Sequence, residues 1–145
     1  MEVVLLICNS VKILILRYFF QKNISAQKKI MKSRIEQLQE FLKEDINDSF
    51  LKYALALEYV RVEENDTARD CFLKLIKDDE NYIASYYQLG KLYESLNDLE
   101  KAIGIYKKGI KIAQKSENKK MLLELQEAYN MLIEIDEYGY DSYRI

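Results

Sequence analysis

Proline, histidine and tryptophan are all absent from these 145 residues, and only four glycines and two cysteines are present. Without proline, and with so little glycine, long helices meet no breaker and a turn-rich β architecture lacks its usual punctuation. An all-α chain is the expectation. With no histidine, and with Cys8 and Cys71 in stretches of different character, neither a Cys/His metal site nor a disulfide framework is expected. Enzyme chemistry also loses its commonest proton carrier. The chain has no Gly-rich phosphate loop and no serine in a G-x-S-x-G turn. Carboxylate pairs such as Glu63-Glu64 and Asp78-Asp79 fall where turns are expected and read as solvated capping charges. A protein without catalysis, cofactor or metal follows from these absences.

What is present is a core. Apolar residues make up 49% of the chain and aromatics 12%, enough for one folded unit with a continuous interior. The net charge of −2 conceals two unequal parts. The first 35 residues hold seven basic side chains and one acid, and the remainder holds fifteen basic against twenty-three acidic. A basic arm precedes an acidic body. Such a body repels a polyanion, so nucleic acid is not an expected partner. Cys71, among apolar neighbours in a helical pattern, reads as a small buried hydrophobe.

The stretch 83–116 repeats the stretch 49–82 at a shift of 34 residues with no insertion between them. Leu89-Gly90 falls on Leu55-Ala56, Tyr93 on Tyr59, Ala102 on Ala68 and Tyr106 on Phe72, with Tyr86 opening the second copy. Each copy divides into two amphipathic helices about a polar turn, at Glu63–Asp66 in the first and Asn97-Asp98 in the second. Antiparallel helices approach to about 8–10 Å only where the crossing side chains are small. Ala56 with Ala68, and Gly90 with Ala102, meet that need, and the aromatics fill the space beside each crossing. A repeat of this length built from two helices stacks on its neighbours, and stacked helical repeats commonly bind other proteins.

Flanking segments extend the pattern to a domain over 31–137. Residues 32–45 form an amphipathic half-repeat helix, with Ile35, Leu38, Phe41 and Leu42 on one stripe. Residues 118–136 form a terminal capping helix with Met121, Leu125, Ala128 and Leu132 inward and Glu124, Glu127, Asn130 and Glu134 left for solvent. Residues 138–145 are an aromatic tail without an assigned role. Residues 1–30 show no stripe in phase with the rest. Three readings stay open for them: a stretch preceding a true start at Met31 or a loosely docked appendage, a weak membrane anchor through residues 3–20, interrupted by Asn9, Ser10 and Lys12, or a packed helix.

The spacing Tyr86-x2-Leu89-Gly90-x2-Tyr93 followed by Ala102-x3-Tyr106 resembles a tetratricopeptide (TPR) repeat, and Leu55-Ala56-x2-Tyr59 with Ala68-x3-Phe72 resembles a second copy. The layout is similar to small bacterial TPR-only proteins, although the repeats lack the family's closing proline. This resemblance implies a short right-handed α-α superhelix of stacked antiparallel hairpins whose first helices line a concave groove. Carried onto this chain, the groove comprises Phe50, Tyr53, Ala54, Leu57, Val60 and Arg61, then Ala84, Tyr87, Gln88, Lys91, Glu94 and Ser95. The plainer alternative is that Tyr53 and Tyr87 only pack against the adjoining helix. The Lys/Asn carboxylate clamp used by some TPR domains on acidic chaperone tails has no counterpart, since Tyr53 and Leu57 stand in its places. A peptide segment of a partner protein is the implied ligand, with Lys91 and Arg61 available to meet an acid. The implied protein is a cytoplasmic, non-catalytic adaptor, the alternative being a TPR assembly factor tethered through residues 3–20. Self-association is a further expectation, because a short stack leaves apolar ends.

Overall fold

The structure, a computed structural model, describes the backbone of residues 2–138, with side chains over 32–134 and at part of 17–30. Six helices follow one another along this span: α1 Glu2–Glu44, α2 Ser49–Arg61, α3 Asn65–Asp78, α4 Ala84–Ser95, α5 Leu99–Lys115 and α6 Lys119–Tyr138. Each packs on the next, and α4 also touches α6. The helix pairs α2/α3 and α4/α5 are the two copies of the repeat, stacked into a TPR superhelix.

The turns carry the repeat as faithfully as the core does. Glu63 and Asn97, one period apart, both adopt left-handed backbone, at φ 64° and φ 60°. Behind them the amides of Glu64 and Asp98 donate to the carbonyls of Tyr59 and Tyr93 at 3.0 and 2.9 Å. This closes the first helix of each copy with a Schellman turn, satisfying carbonyls the helix end would leave bare. The starts of α2, α5 and α6 are fixed by side chains. Asp48 Oδ1 accepts from the Leu51 amide at 2.9 Å, and Asp98 and Asn118 do the same for Lys101 and Met121.

Burial follows the repeat register. Ala56, Ala68, Phe72 and Leu75 in the first copy, and Leu89, Ala102 and Tyr106 in the second, are fully buried, as is Leu125 of α6. Leu55, Tyr86 and Tyr93 are buried beside them, and Tyr59 is half-buried. The ring of Tyr106 lies on the bare Cα of Gly90 itself, since a Cβ placed there would stand 2.7 Å from Tyr106 Cδ1. The aromatic therefore fills the crossing rather than the space beside it.

Helix α1 differs from the short segment expected over 32–45. It runs unbroken from Glu2 to Glu44, because no glycine precedes Gly90 and no proline exists to stop it. The partner α2 is only 13 residues long, so most of α1 extends past it. Ile35 is the first buried side chain described on α1, whereas Ile30 is 68% exposed. Packing thus begins near the expected boundary although the helix does not. Phe41 departs from the expected stripe. It stands in the repeat where fully buried Leu75 stands, yet it is 54% exposed, with α2 the one described helix that packs extensively on α1. Most of residues 3–20, where the anchor reading falls, and the tail beyond Tyr138 lie outside the described side chains. Among the described residues, no helix is long and apolar enough to cross a membrane.

Candidate functional site

The first helices of the repeats present their tyrosines in equivalent ways. Tyr53 and Phe72 have ring centroids 6.1 Å apart at 60°, and one period later Tyr87 and Tyr106 stand 6.3 Å apart at 46°. Their surroundings then diverge. Tyr53 also lies 5.2 Å from Tyr82, ring centroid to ring centroid, at a tilt of 46°. It behaves as a packing residue between Phe72 of α3 and the loop that leads into α4. Tyr87 has its inner edge on Tyr106 and its outer edge on a cleft.

That cleft, of about 260 Å³, lies between α4 and α6 and is lined by Tyr87, Lys91, Glu94, Glu124, Glu127, Ala128, Met131 and Leu132. Its apolar floor comes from the stripe that packs α6 inward, where Ala128 and Leu132 are nearly covered. Met131 stands at the rim, 67% exposed. Glu124 and Glu127, assigned to solvent by the sequence reading, form one wall of the cleft. Helix α6 therefore forms one side of the cleft and α4 the other.

Glu94 organises the opposite wall. Its Oε1 accepts from the Tyr106 hydroxyl and its Oε2 from Lys91 Nζ at 2.8 Å. Burial drives the Tyr106 phenol well above its ordinary pKa, and the hydrogen bond and charge of Glu94 push it the same way. Tyr53, Tyr59, Tyr82 and Tyr86 are raised as well, burial being the first cause in each. Below the ordinary phenol value of about 10 both folded and unfolded chains keep these protons, so stability is independent of them there. Above it the unfolded chain ionises first, and stability falls as pH rises. Urea midpoints measured from pH 8 to pH 11 are expected to drop above about pH 10, with a shallower drop in Tyr106→Phe. An identical slope in that variant would show that Tyr106 is not part of the effect.

Two further groove residues are not available as the sequence suggested. Lys91 is engaged by Glu94, and Arg61 Nη1 pairs with Glu58 Oε1 at 2.7 Å, so neither is an open cation awaiting an acid. Both pairs have i,i+3 spacing on a helix, which brings the side chains together. Of the remaining candidates, Leu57 and Ala84 are half-buried and Leu57 packs on the core, while Phe50 is 66% exposed at the other end of α2.

Sequence reasoning missed Glu58. Only 3% exposed, it draws Arg34 Nε to 3.2 Å as well as Arg61, both onto Oε1, and so joins α1 to α2. Removing both cations by Arg34→Ala with Arg61→Ala leaves a buried carboxylate uncompensated, at a cost of about 1–2 kcal/mol after solvent screening of two half-exposed arginines. Chemical denaturation should show the loss, with part of it recovered by adding Glu58→Gln. No recovery would mean that the arginines act through packing alone.

Comparison with known proteins places these features in a family. Residues 83–116 match a family model described as tetratricopeptide repeat. A crystallised tetratricopeptide repeat domain protein from Salinibacter ruber is 38% identical, with a TM-score of 0.58 over 61% of this chain and 98% of that one. A protein of Bordetella parapertussis, 22% identical, reaches 0.65 over 77% of this chain and 96% of that one. The TPR2B domain of yeast Sti1, solved in a complex with pHsp70, is 14% identical with a TM-score of 0.66 over 74% of this chain and 86% of that one. The last two share the fold alone. No curated protein matches the chain.

Proposed function

The chain belongs to the tetratricopeptide repeat family, and from that premise we propose that it is a non-catalytic adaptor that holds a peptide segment of a partner protein in its concave groove. The cleft between α4 and α6 carries this reading. It joins an aromatic face, an adaptable methionine and paired charges on helices whose positions are fixed by a fully buried core. Binding of pHsp70 by the Sti1 domain shows that a similar fold takes a protein ligand. In this reading the adaptor acts in the cytoplasm.

A photo-crosslinking amino acid at Met131 tests the assignment against one at Leu73, which is exposed on α3 away from the cleft. Expressed in the native host, the Met131 probe is expected to join the protein to a discrete partner and the Leu73 probe to give none. Equal labelling from both positions would remove the groove from consideration.

A further inference from the structure

The cleft between α4 and α6 has a definite electrostatic sign. Three carboxylates, Glu94, Glu124 and Glu127, face it, against the single ammonium of Lys91. Lys91 is already spent on Glu94, whose other oxygen accepts from Tyr106. Glu124 has only a stretched contact of 3.9 Å to Lys120, whose side chain is 85% exposed, and Glu127 has no ion pair among the described residues. The α6 wall therefore offers two carboxylates with little internal compensation, above an apolar floor of Tyr87, Ala128 and Leu132 with Met131 at its rim. Beyond residue 35 the whole body is acidic, so the long-range field has the same sign.

Resting on the groove reading above, we propose that the occupant is a cationic amphipathic segment of the partner. An aliphatic side chain enters the floor, and a neighbouring Lys or Arg lies against Glu124 and Glu127. Charge complementarity selects this class. An acidic tail would meet two carboxylates and no open cation, and a neutral apolar segment would leave the α6 wall without a partner of opposite charge. Met131 and the Tyr87 ring, held against Tyr106, supply contact area that tolerates variation in the aliphatic anchor. The affinity is accordingly salt-sensitive, because the carboxylates are partly solvated.

Fluorescein-labelled synthetic peptides of equal length and leucine content, with lysine, glutamate or glutamine at the polar positions, test the proposal by anisotropy with the full chain. The lysine peptide is expected to bind saturably and to weaken as salt rises from about 50 to about 500 mM. Glu124→Gln with Glu127→Gln should weaken it by roughly tenfold, while Glu100→Gln with Glu117→Gln, exposed elsewhere with the same loss of charge, should leave it unchanged. Equal weakening by both pairs would show attraction to the acidic body rather than to this site, and would overturn the proposal. Stronger binding of the glutamate or glutamine peptide, abolished by Met131→Asp, would overturn the cationic class and leave the groove standing. Lysine-peptide binding that ignores both Met131→Asp and the α6 pair would sink the groove reading as well.

Discussion

Phe72→Ala is expected to cost about 3–5 kcal/mol, the range for emptying a fully buried aromatic site. A chain of this size has about 5–15 kcal/mol of net stability, so the variant keeps only part of it. The loss should also be local. Phe72 packs between Tyr53 of its own repeat and the cluster around Ala56 and Ala68, and among the described residues α3 meets the second repeat chiefly through α4. In a stacked repeat each unit leans on its neighbours alone. Hydrogen exchange should therefore show α2 and α3 losing protection, together with the end of α1 that packs on them. Protection across α4, α5 and α6 should persist at a lower level of denaturant. Uniform loss over all six helices would mean the stack unfolds as one unit, and an unchanged urea midpoint would mean the ring is not buried.

The repeat interior was legible because it is written in pairs. A small residue at 56, 68, 90 and 102 and a ring at 72 and 106 recur at one interval, and a shift of 34 residues exposes them. What lay at the ends of the stack was less legible, since a terminal helix has the pattern of a repeat without its neighbour. Phe41 sits in register with Leu75 and still faces solvent, for among the described residues no second helix packs on that face of α1 as α4 packs on α3. The stripe of Leu125, Ala128 and Leu132 on α6 was read correctly and is buried. Glu124 and Glu127 reach solvent as expected, half-exposed and exposed, but their place on a cleft wall was not legible, because nearness to α4 depends on the superhelical twist between repeats, which no periodicity encodes. The engagement of Lys91 and Arg61 was legible in principle: each has a glutamate three positions away. The unbroken course of α1 was legible from the absence of breakers and lost only because its first part has no stripe in phase with the rest.

Two alanine substitutions of the same chemical kind should move stability in opposite directions. Gly104 lies on the exposed side of α5 with nothing within 4 Å of a built Cβ, so Gly104→Ala removes only the entropic penalty of glycine in a helix and should gain about 0.5–1 kcal/mol. At Gly90 the same methyl would stand 2.5 Å from Tyr106 Cζ, with Cε1 nearer still. Tyr106 has little room to give way, being fully buried and tethered through its hydroxyl to Glu94, with its ring against Tyr87. The overlap should outweigh the propensity gain and leave a net loss of about 1–3 kcal/mol, so the two variants differ by roughly 2–4 kcal/mol in urea titrations. A smaller ring partner separates the causes. In a Tyr106→Leu background, already destabilised, Gly90→Ala should become neutral or favourable, because Cε1 and Cζ, the two nearest atoms it would strike, are gone and the shorter side chain can turn its Cδ atoms aside. If Gly90→Ala is equally harmful in both backgrounds, the glycine is required by something other than the ring that covers it. The tyrosine that fixes the α4/α5 crossing also holds Glu94 at the cleft. Gly90→Ala should therefore loosen the groove wall along with the core, and Lys91 should lose its fixed partner as the ring shifts.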